Sequence, residues 1–494
     1  MNGRITNTAA GRRADKKASP GRNASAETPR AFERLTKNAR IELLISSLDE
    51  EGYGTTRTAD GMTLRVGGAL PGDTVIAHVD HVSRGTAFAH VHRMLVPSSL
   101  RSRRPPCMES ADCLGCPLIA MKYGEQTAWK RGMVLAELAR YPGLSGVEVH
   151  PVLSPDNLIH YRTVAKLAVA GKHSDPFIGI YRRATHDVYD LDGCALHHPL
   201  INRVVEAARE GIRKLKVPIY NPKSRMGLLR YLVVRVSLVE RKAMVVFVTA
   251  ERSFNEIHHL AKFVGERVPD VEVIAQNINS SEGNVIFGQK EHFLAKRHTL
   301  KEQLGDVMFQ VSPRSFFQVN PGGARLIYSK VSEWAGHGRL GTVLDLYCGI
   351  GGIGLFLAGR AERVIGYEYV GEAVADAAAN ARANGFDNCT FEAGDVADLL
   401  DDLAGEGEPV DLAVLNPPRR GCDARVLERL ASIGPKSIIY VSCSPATLCR
   451  DLELLRGSGY VCGEIQPVDM FPQTVHVECV ARLKKNDKGV INSA

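Results

Sequence analysis

The sequence predicts a multidomain α/β protein: a small β-barrel, then a central α+β domain, then a C-terminal domain built on a parallel sheet with helices on both faces. Three observations predict it. The chain has 494 residues, too many for one ordinary core. From Ala39 to Val91, short alternating apolar runs are separated by glycine-bearing turns. From Phe309 onward, strand, glycine loop and helix patterns follow one another as βαβ units. The expected boundaries are 1–35 for a disordered basic tail, 36–97 for the barrel, 98–308 for the central domain and 309–494 for the last domain.

Composition narrows the classes. Hydrophobic residues make up 44% and charged residues 24% of the chain, as in ordinary globular proteins. The net charge of +7 permits a polyanionic partner without requiring one. No apolar run is long enough to span a bilayer, and the basic N-terminus has no apolar segment behind it, so neither a membrane protein nor a secretory signal is expected. The eleven cysteines then read as reduced thiols of a cytoplasmic protein, and clusters among them as metal or catalytic sites. A monomer is expected.

In chain order, residues 1 to about 33 are rich in Ala, Gly, Arg, Lys, Ser and Asn without periodicity, a composition that cannot bury a core. Ile41–Ile45, Met62–Val66, Thr74–Val79 and Thr86–Val91 are strand-like, with turns at Gly52, Gly54, Gly61, Gly67-Gly68 and Pro71-Gly-Asp73. Four strands in some sixty residues suit a barrel of oligonucleotide-binding (OB) size. Gly52-Tyr-Gly54 and Gly68-Ala-Leu-Pro-Gly-Asp73 resemble the TRAM domain of RNA-modifying enzymes. Small barrels also serve as plain interaction modules.

A basic hinge, Arg101–Pro106, leads into Cys107-x5-Cys113-x2-Cys116, a thiol loop without apolar periodicity. Cys194, in Asp192-Gly-Cys-Ala-Leu-His-His198, is the best candidate for a fourth ligand. Spacing leans to zinc on four thiolates, or on three with His197 or His198; an iron–sulfur cluster also takes four thiolates. The central domain then reads as strands at Tyr161–Val169, Phe177–Arg182, Leu229–Val236, Ala243–Val248, Val271–Ile278 and Asn284–Gly288, with helices at Leu200–Leu215 and Phe254–Val268. Arg162 and Lys166 are basic members of the first of these strands. The domain carries no compact chemical motif and reads as a substrate holder.

In the last domain Thr342–Tyr347 is a strand, Cys348-Gly-Ile-Gly-Gly-Ile-Gly354 a loop and Leu355–Ala361 the start of a helix; Val364–Glu368 follows as a strand ending in a carboxylate. The loop contains G-x-G-x-x-G, and Glu368 stands where an acidic residue takes a ribose hydroxyl. That pattern alone fits a dinucleotide as well as S-adenosylmethionine. Asn416-Pro-Pro418, at the end of the Val410–Leu415 strand, favours the methyl donor, because an Asn before a Pro pair presents its amide at the sheet edge. A nicotinamide-dependent oxidoreductase is the rival, and an RNA-binding assembly factor with a vestigial cofactor fold is another.

Cys443 closes the strand Ile438–Val441 on the same edge, ahead of the helical run Ala446–Leu455. Most cysteines are buried structural ones. Beside a methyl donor, however, a thiolate has a specific use: addition to C6 of a uracil makes C5 nucleophilic. A base must then remove the C5 proton, and His476 and Glu478 both lie ahead of the final strand.

Asp345-Leu-Tyr-Cys-Gly349, Asn416-Pro-Pro-Arg-Arg-Gly421, Val441-Ser-Cys-Ser-Pro-Ala-Thr447 and Asp469-Met-Phe-Pro472 with Glu478 together resemble the RNA (uracil-C5)-methyltransferase family over nearly the whole chain beyond the tail. The resemblance implies a Rossmann-like class I methyltransferase domain, with Cys443 as nucleophile and Glu478 as base. It implies S-adenosylmethionine contacts from Gln318, Tyr347, Glu368 and Asn416. It also implies a [4Fe–4S] cluster on Cys107, Cys113, Cys116 and Cys194, against the lean to zinc. Ser444 and Asn416 depart from the family's frequent Asn and Asp at those places. The Asn416 motif looks most like the branch that modifies 23S ribosomal RNA, with transfer RNA as the alternative substrate.

Overall fold

The computed structural model describes residues 35–486 except 108–112, 114, 183–184, 253–254 and 284; the expected tail, 1–35, lies outside them but for its last residue. The chain divides into two compact units, 1–126 with 473–475, and 127–472 with 476–494.

In the first unit, the strands Arg40–Leu44, Ser47–Leu48, Gly54–Arg57, Thr63–Gly67, Thr74–Ser83 and Thr86–Val96 form one sheet, in the order first, fifth, sixth, fourth, third, second. Alternation places Ile41, Leu43, Leu64, Val66, Val75, Ala77, Ala87 and Ala89 on its buried side. The Gly68–Asp73 turn is fixed by the fully buried Asp73. Its carboxylate accepts from the Leu70 and Ser98 amides at 2.6 and 2.8 Å and pairs with Arg101 at 2.6 Å.

The second unit holds two larger sheets. One runs Val188–Asp190, Asp175–Tyr181, Val164–Lys172, Leu229–Ser237, Lys242–Thr249, Val271–Ile278, Lys290–Phe293. Only the Lys242–Thr249/Val271–Ile278 pair within it is parallel, crossed over by the helix Asn255–Arg267, which covers one face together with Pro199–Leu215. Of the strand expected at 284–288, residue 284 lies outside the described residues, and the strand next to Val271–Ile278 is instead Lys290–Phe293. Asn277 accounts for the shift: its side chain exchanges hydrogen bonds with the Gly288 backbone, holding that stretch off the ladder.

The other sheet is built from β1 (Leu340–Leu346), β2 (Ala361–Glu368), β3 (Cys389–Ala393), β4 (Leu412–Leu415), β5 (Ser437–Ser442), β6 (Tyr460–Val468) and β7 (Glu478–Lys485), in the order β3-β2-β1-β4-β5-β7-β6, extended at the β6 edge by Glu148–Val149. The first five are parallel, as the βαβ pattern predicts. β7 is not: it enters antiparallel between β5 and β6. The helices α1 (Pro321–Trp334), α2 (Gly352–Ala358), α3 (Gly371–Ala383), α4 (Val396–Glu406), α5 (Ala424–Ile433) and α6 (Pro445–Gly457) flank the sheet, whose two faces pack into two separate apolar clusters.

The chain reaches β7 through Asp469-Met-Phe-Pro472, and all four residues are pinned. The Asp469 amide donates to the Leu153 carbonyl at 2.8 Å, and its carboxylate pairs with Lys130 Nζ at 2.5 Å, both side chains fully buried. Asn320, which caps α1, donates to the Met470 carbonyl at 2.8 Å; Lys130 also reaches the Phe471 carbonyl at 3.1 Å, and the Tyr161 hydroxyl reaches that of Pro472 at 2.9 Å. A buried pair of this kind is costly to break singly, because one charge is left uncompensated. Lys130→Met should therefore destabilise the protein by about 3–5 kcal/mol, seen as a lower urea midpoint, and adding Asp469→Leu should recover most of the loss. A midpoint unchanged in Lys130→Met would contradict this role for the pair.

Candidate active site

β1 ends in a loop that only unusual backbone can form. Tyr347, Gly349 and Gly351 all have positive φ, 62°, 56° and 82°. The Tyr347 and Cys348 amides both donate to the Tyr367 carbonyl, at 2.8 and 3.1 Å. Glu368 at the end of β2 then locks the turn, accepting from the Gly349 amide at 3.1 Å on one oxygen and from the Val370 amide at 3.0 Å on the other. Each oxygen keeps a lone pair for a further donor such as a ribose hydroxyl. A Cβ built at Gly349 would meet nothing within 4 Å, so the loop leaves open space there.

Beneath the loop sits Asp345, a residue singled out from the sequence only as part of a motif. One of its oxygens accepts from the Gly354 amide at 2.7 Å; the other is buried with no hydrogen-bond partner among the described residues. Burial, aided by Glu368, pushes its pKa up to about 7 against the Gly354 amide. An unsatisfied buried acceptor beside a glycine loop is suited to a ligand's cationic donor.

β4 ends at the same edge. The half-buried Asn416 follows it, its amide donating to the Leu346 carbonyl at 3.2 Å. The loop beyond is anchored through Cys422, whose amide donates to the buried Asp451 at 2.8 Å. Tyr440 donates to Asp451 at 2.5 Å, and the Tyr347 hydroxyl bonds the Cys422 thiol. Gln318 is half-buried in the segment before α1.

Cys443 follows β5 and precedes α6. Ser444 caps that helix, its hydroxyl accepting from the Thr447 amide at 3.4 Å, with Pro445 at the first helical position. Ser serves at this position for the same reason Asn would: both side chains accept from the first turn. The other thiols on this sheet and its flanks include Cys348, Cys422, Cys449, Cys462 and Cys479, which are buried; desolvation pushes Cys422, Cys449 and Cys462 up to about 12. Cys443 is half-buried. Burial and Glu478 raise its pKa, while Arg419 opposes them with its charge and a hydrogen bond.

The β5/β7 register brings in Glu478. Ser442 pairs with Cys479, so the next step along both strands sets Cys443 against Glu478. Desolvation pushes the Glu478 carboxyl up to about 7, with Arg419 pulling it down. Arg419 also lies 3.5 Å from His476 Nε2 through Nη2, and His476 is exposed, with Phe471 packed edge-on against it at 5.9 Å. The structure thus brings Cys443 and Glu478 together under one guanidinium. Arg419 was visible in the sequence only as a member of the Asn416 motif.

The remaining expected ligands belong to other elements of the chain. Cys107, Cys113 and Cys116 are half-buried in the first unit. Cys194 is half-buried in the second, where its amide and carbonyl both bond the Asn202 side chain, at 3.2 and 3.1 Å. His198 caps the helix Pro199–Leu215, accepting from the Leu200 amide through Nδ1 at 3.2 Å.

The family model described as tRNA (uracil-5-)-methyltransferase matches residues 143–486. An uncharacterized RNA methyltransferase of Geobacter sulfurreducens is 54% identical over 452 residues, 91% of each chain. One from Oceanobacillus iheyensis is 37% identical over 450 residues, 91% of this chain and 97% of that one. The solved structure of Pyrococcus abyssi tRNA (uracil-54, C5)-methyltransferase in complex with S-adenosyl-L-homocysteine superimposes with a TM-score of 0.71 at 29% identity, covering 90% of this chain and 100% of that one.

The raised Glu478 carboxyl has a consequence for stability. Its pKa of about 7 in the fold exceeds the ordinary value of 4.5, so the fold favours the protonated form. The stability it contributes is complete below pH 4.5 and is lost as pH rises through about 7. Glu478→Gln should therefore melt at a higher temperature than the native protein at pH 8, with the difference closing toward pH 4.5. A difference independent of pH would contradict the assignment.

Proposed function

The chain belongs to the tRNA (uracil-5-)-methyltransferase family, and from that premise we propose that it forms 5-methyluridine by adding Cys443 to C6 of a target uracil. It is an S-adenosylmethionine-dependent RNA methyltransferase. The observation that carries the mechanism is the β5/β7 register, which sets a half-buried thiol and a raised carboxyl side by side at the glycine-loop edge of the sheet.

S-adenosylmethionine, when bound, supplies an electrophilic methyl group to C5. Glu368 would hold its ribose, with Tyr347, Asn416 and Gln318 around it, and Asp345 offers an acceptor to its amino group. The target base has to leave its stack to reach the edge. Arg419 favours the thiolate of Cys443, which forms the C6–S bond as the ring electrons move toward O4 and C5. Once C5 carries the methyl group, the Glu478 carboxylate takes the C5 proton. The C6–S bond then breaks, returning the thiolate and restoring the C5–C6 double bond. A base with a pKa near 7 is matched to that transfer at neutral pH.

We assign the substrate to 23S ribosomal RNA, on the Asn416-Pro-Pro-Arg-Arg-Gly421 motif and the TRAM-like Gly68–Asp73 stretch. The transfer-RNA reading has two observations in its favour: the matching family model is described as a tRNA (uracil-5-)-methyltransferase, and the Pyrococcus abyssi enzyme matches this chain along 90% of its length. On the sequence resemblance, Cys107, Cys113, Cys116 and Cys194 supply thiolates to a [4Fe–4S] cluster; half-buried thiols are suitable donors, and no electron transfer is needed in the chemistry above.

Nucleoside mass spectrometry after incubation with S-adenosylmethionine should find new 5-methyluridine in unmethylated 23S ribosomal RNA. Label confined to transfer RNA would select the alternative, and label in neither would end the reading. Glu478→Gln should lower turnover about 10²- to 10⁴-fold; an unaffected rate would move the base to His476. Anaerobically purified protein should contain iron and sulfide with a visible absorption band that Cys194→Ser loses, and zinc without iron would refute the cluster.

A further inference from the structure

The sheet that starts at Val164–Lys172 lies outside the proposed active site. Helices cover one face of this sheet; the opposite face carries Ala168, Tyr231 and Val233, with Lys166 at the register position facing Val233. At one end of the sheet is a cleft of about 260 Å³ walled by Tyr181, Tyr220 and Tyr231, with Arg225 and Arg230 at its sides. None of its lining residues belongs to the catalytic sheet or its loops.

The cleft is built, not incidental. Tyr181 and Tyr231 are joined through their hydroxyls at 3.4 Å. The buried Arg230 is held by backbone carbonyls, Nη1 reaching Asn279 and Ser281 at 2.5 and 2.8 Å, with its guanidinium 4.8 Å from the Tyr220 ring centre and 5.9 Å from that of Tyr231. Two ordered turns form the rims. In the first, the Asn221 amide donates to the Met226 carbonyl and the Arg225 amide to that of Asn221, both at 2.8 Å, and a Cβ at Gly227 would run into the Ile219 carbonyl. In the second, Asn279 donates to the Val285 and Ile286 carbonyls at 2.6 and 2.9 Å. Arg225 and Glu282 link the rims at 2.9 Å.

We propose that this cleft receives one unstacked nucleobase of the RNA substrate, at a nucleotide other than the one methylated, with Arg225 and Arg230 drawing the adjoining phosphate. The proposal rests on the RNA-methyltransferase reading and deepens it. Three considerations select this ligand. Clustered aromatic rings are a common platform for single-stranded RNA, because every base offers a π-face. The volume lies below the roughly 300–1,000 Å³ of pockets that enclose drug-sized ligands, which suits a single planar heterocycle. Cation and ring recur as neighbours along the same sheet, with Lys166 Nζ 5.4 Å from the Phe287 ring centre and Arg182 5.0 Å from that of Tyr189. A base held here anchors the RNA while a second is extruded toward Cys443.

Equilibrium binding of fluorescent U12 and A12 oligoribonucleotides to the full-length protein, followed by anisotropy, tests this without depending on methyl transfer. Tyr220→Ala should weaken binding about five-fold or more, and Tyr220→Trp should restore it, since a larger ring keeps the stacking surface. In turnover assays on structured RNA, Tyr220→Ala should raise KM by a similar factor, while the affinity for S-adenosylmethionine stays at the native value. Equal oligonucleotide affinity for native protein and Tyr220→Ala overturns the cleft. So does a loss that Tyr220→Trp fails to restore while S-adenosylmethionine still binds. A failure of the catalytic reading appears separately, as native protein that binds RNA yet forms no 5-methyluridine.

Discussion

Everything at the proposed active site depends on the antiparallel entry of β7 between β5 and β6. Five parallel strands deliver the glycine loop, Glu368, Asn416 and Cys443 to one edge, because every parallel strand ends there. A further parallel strand would begin at the opposite edge and could not present its first residue beside Cys443. An antiparallel strand starts where its neighbour ends, so Glu478 at the head of β7 meets Cys443 at the tail of β5. Slipping the register by one residue would turn Glu478 to the other face of the sheet. The pinning of Asp469–Pro472 by Leu153, Lys130, Asn320 and Tyr161 fixes the approach to β7.

The electrostatics follow from that placement. An apolar sheet edge raises both the thiol and the carboxyl, and the Glu478 charge raises the thiol further. Left there, the pair would favour a neutral thiol, a poor nucleophile. Arg419 counters both shifts from a loop that Asp451, Tyr440 and Cys422 hold in place. The order of events in the proposed reaction fits this balance. The thiolate is needed first and the carboxylate second, and the guanidinium serves each in turn.

Much of this was legible in the residues. Helix and strand periods placed β1, β2, β4 and β5, with α2 and α6, within a few residues, because the apolar spacing of each segment is consistent. Glycine spacing with Glu368 pointed to the proposed cofactor edge, since only such a backbone makes that turn. The antiparallel β6–β7 pair was not legible: strand direction comes from a tertiary choice that apolar alternation does not encode. Arg419 escaped a role for a related reason, as its partners Cys443 and Glu478 are distant in sequence. Asp345 reads as an ordinary strand-end carboxylate until the fold leaves one of its oxygens without a donor. The Asn277 bonds that displaced the expected strand at 284–288 are likewise contacts between side chain and backbone that no periodicity reveals. His476 and Glu478 were equal candidates by position, and the register, with Glu478 in the ladder beside Cys443, favours Glu478.

The most direct test of the central claim is covalent trapping on RNA containing 5-fluorouridine, since fluorine at C5 cannot leave as a proton. Incubated with S-adenosylmethionine, the native protein should form a stable protein–RNA adduct. Mass spectrometry of its peptides should place the link on Cys443, and Cys443→Ala should form none. An adduct that persists in Cys443→Ala, or no adduct from a native protein that does methylate uridine-containing RNA, would contradict the account.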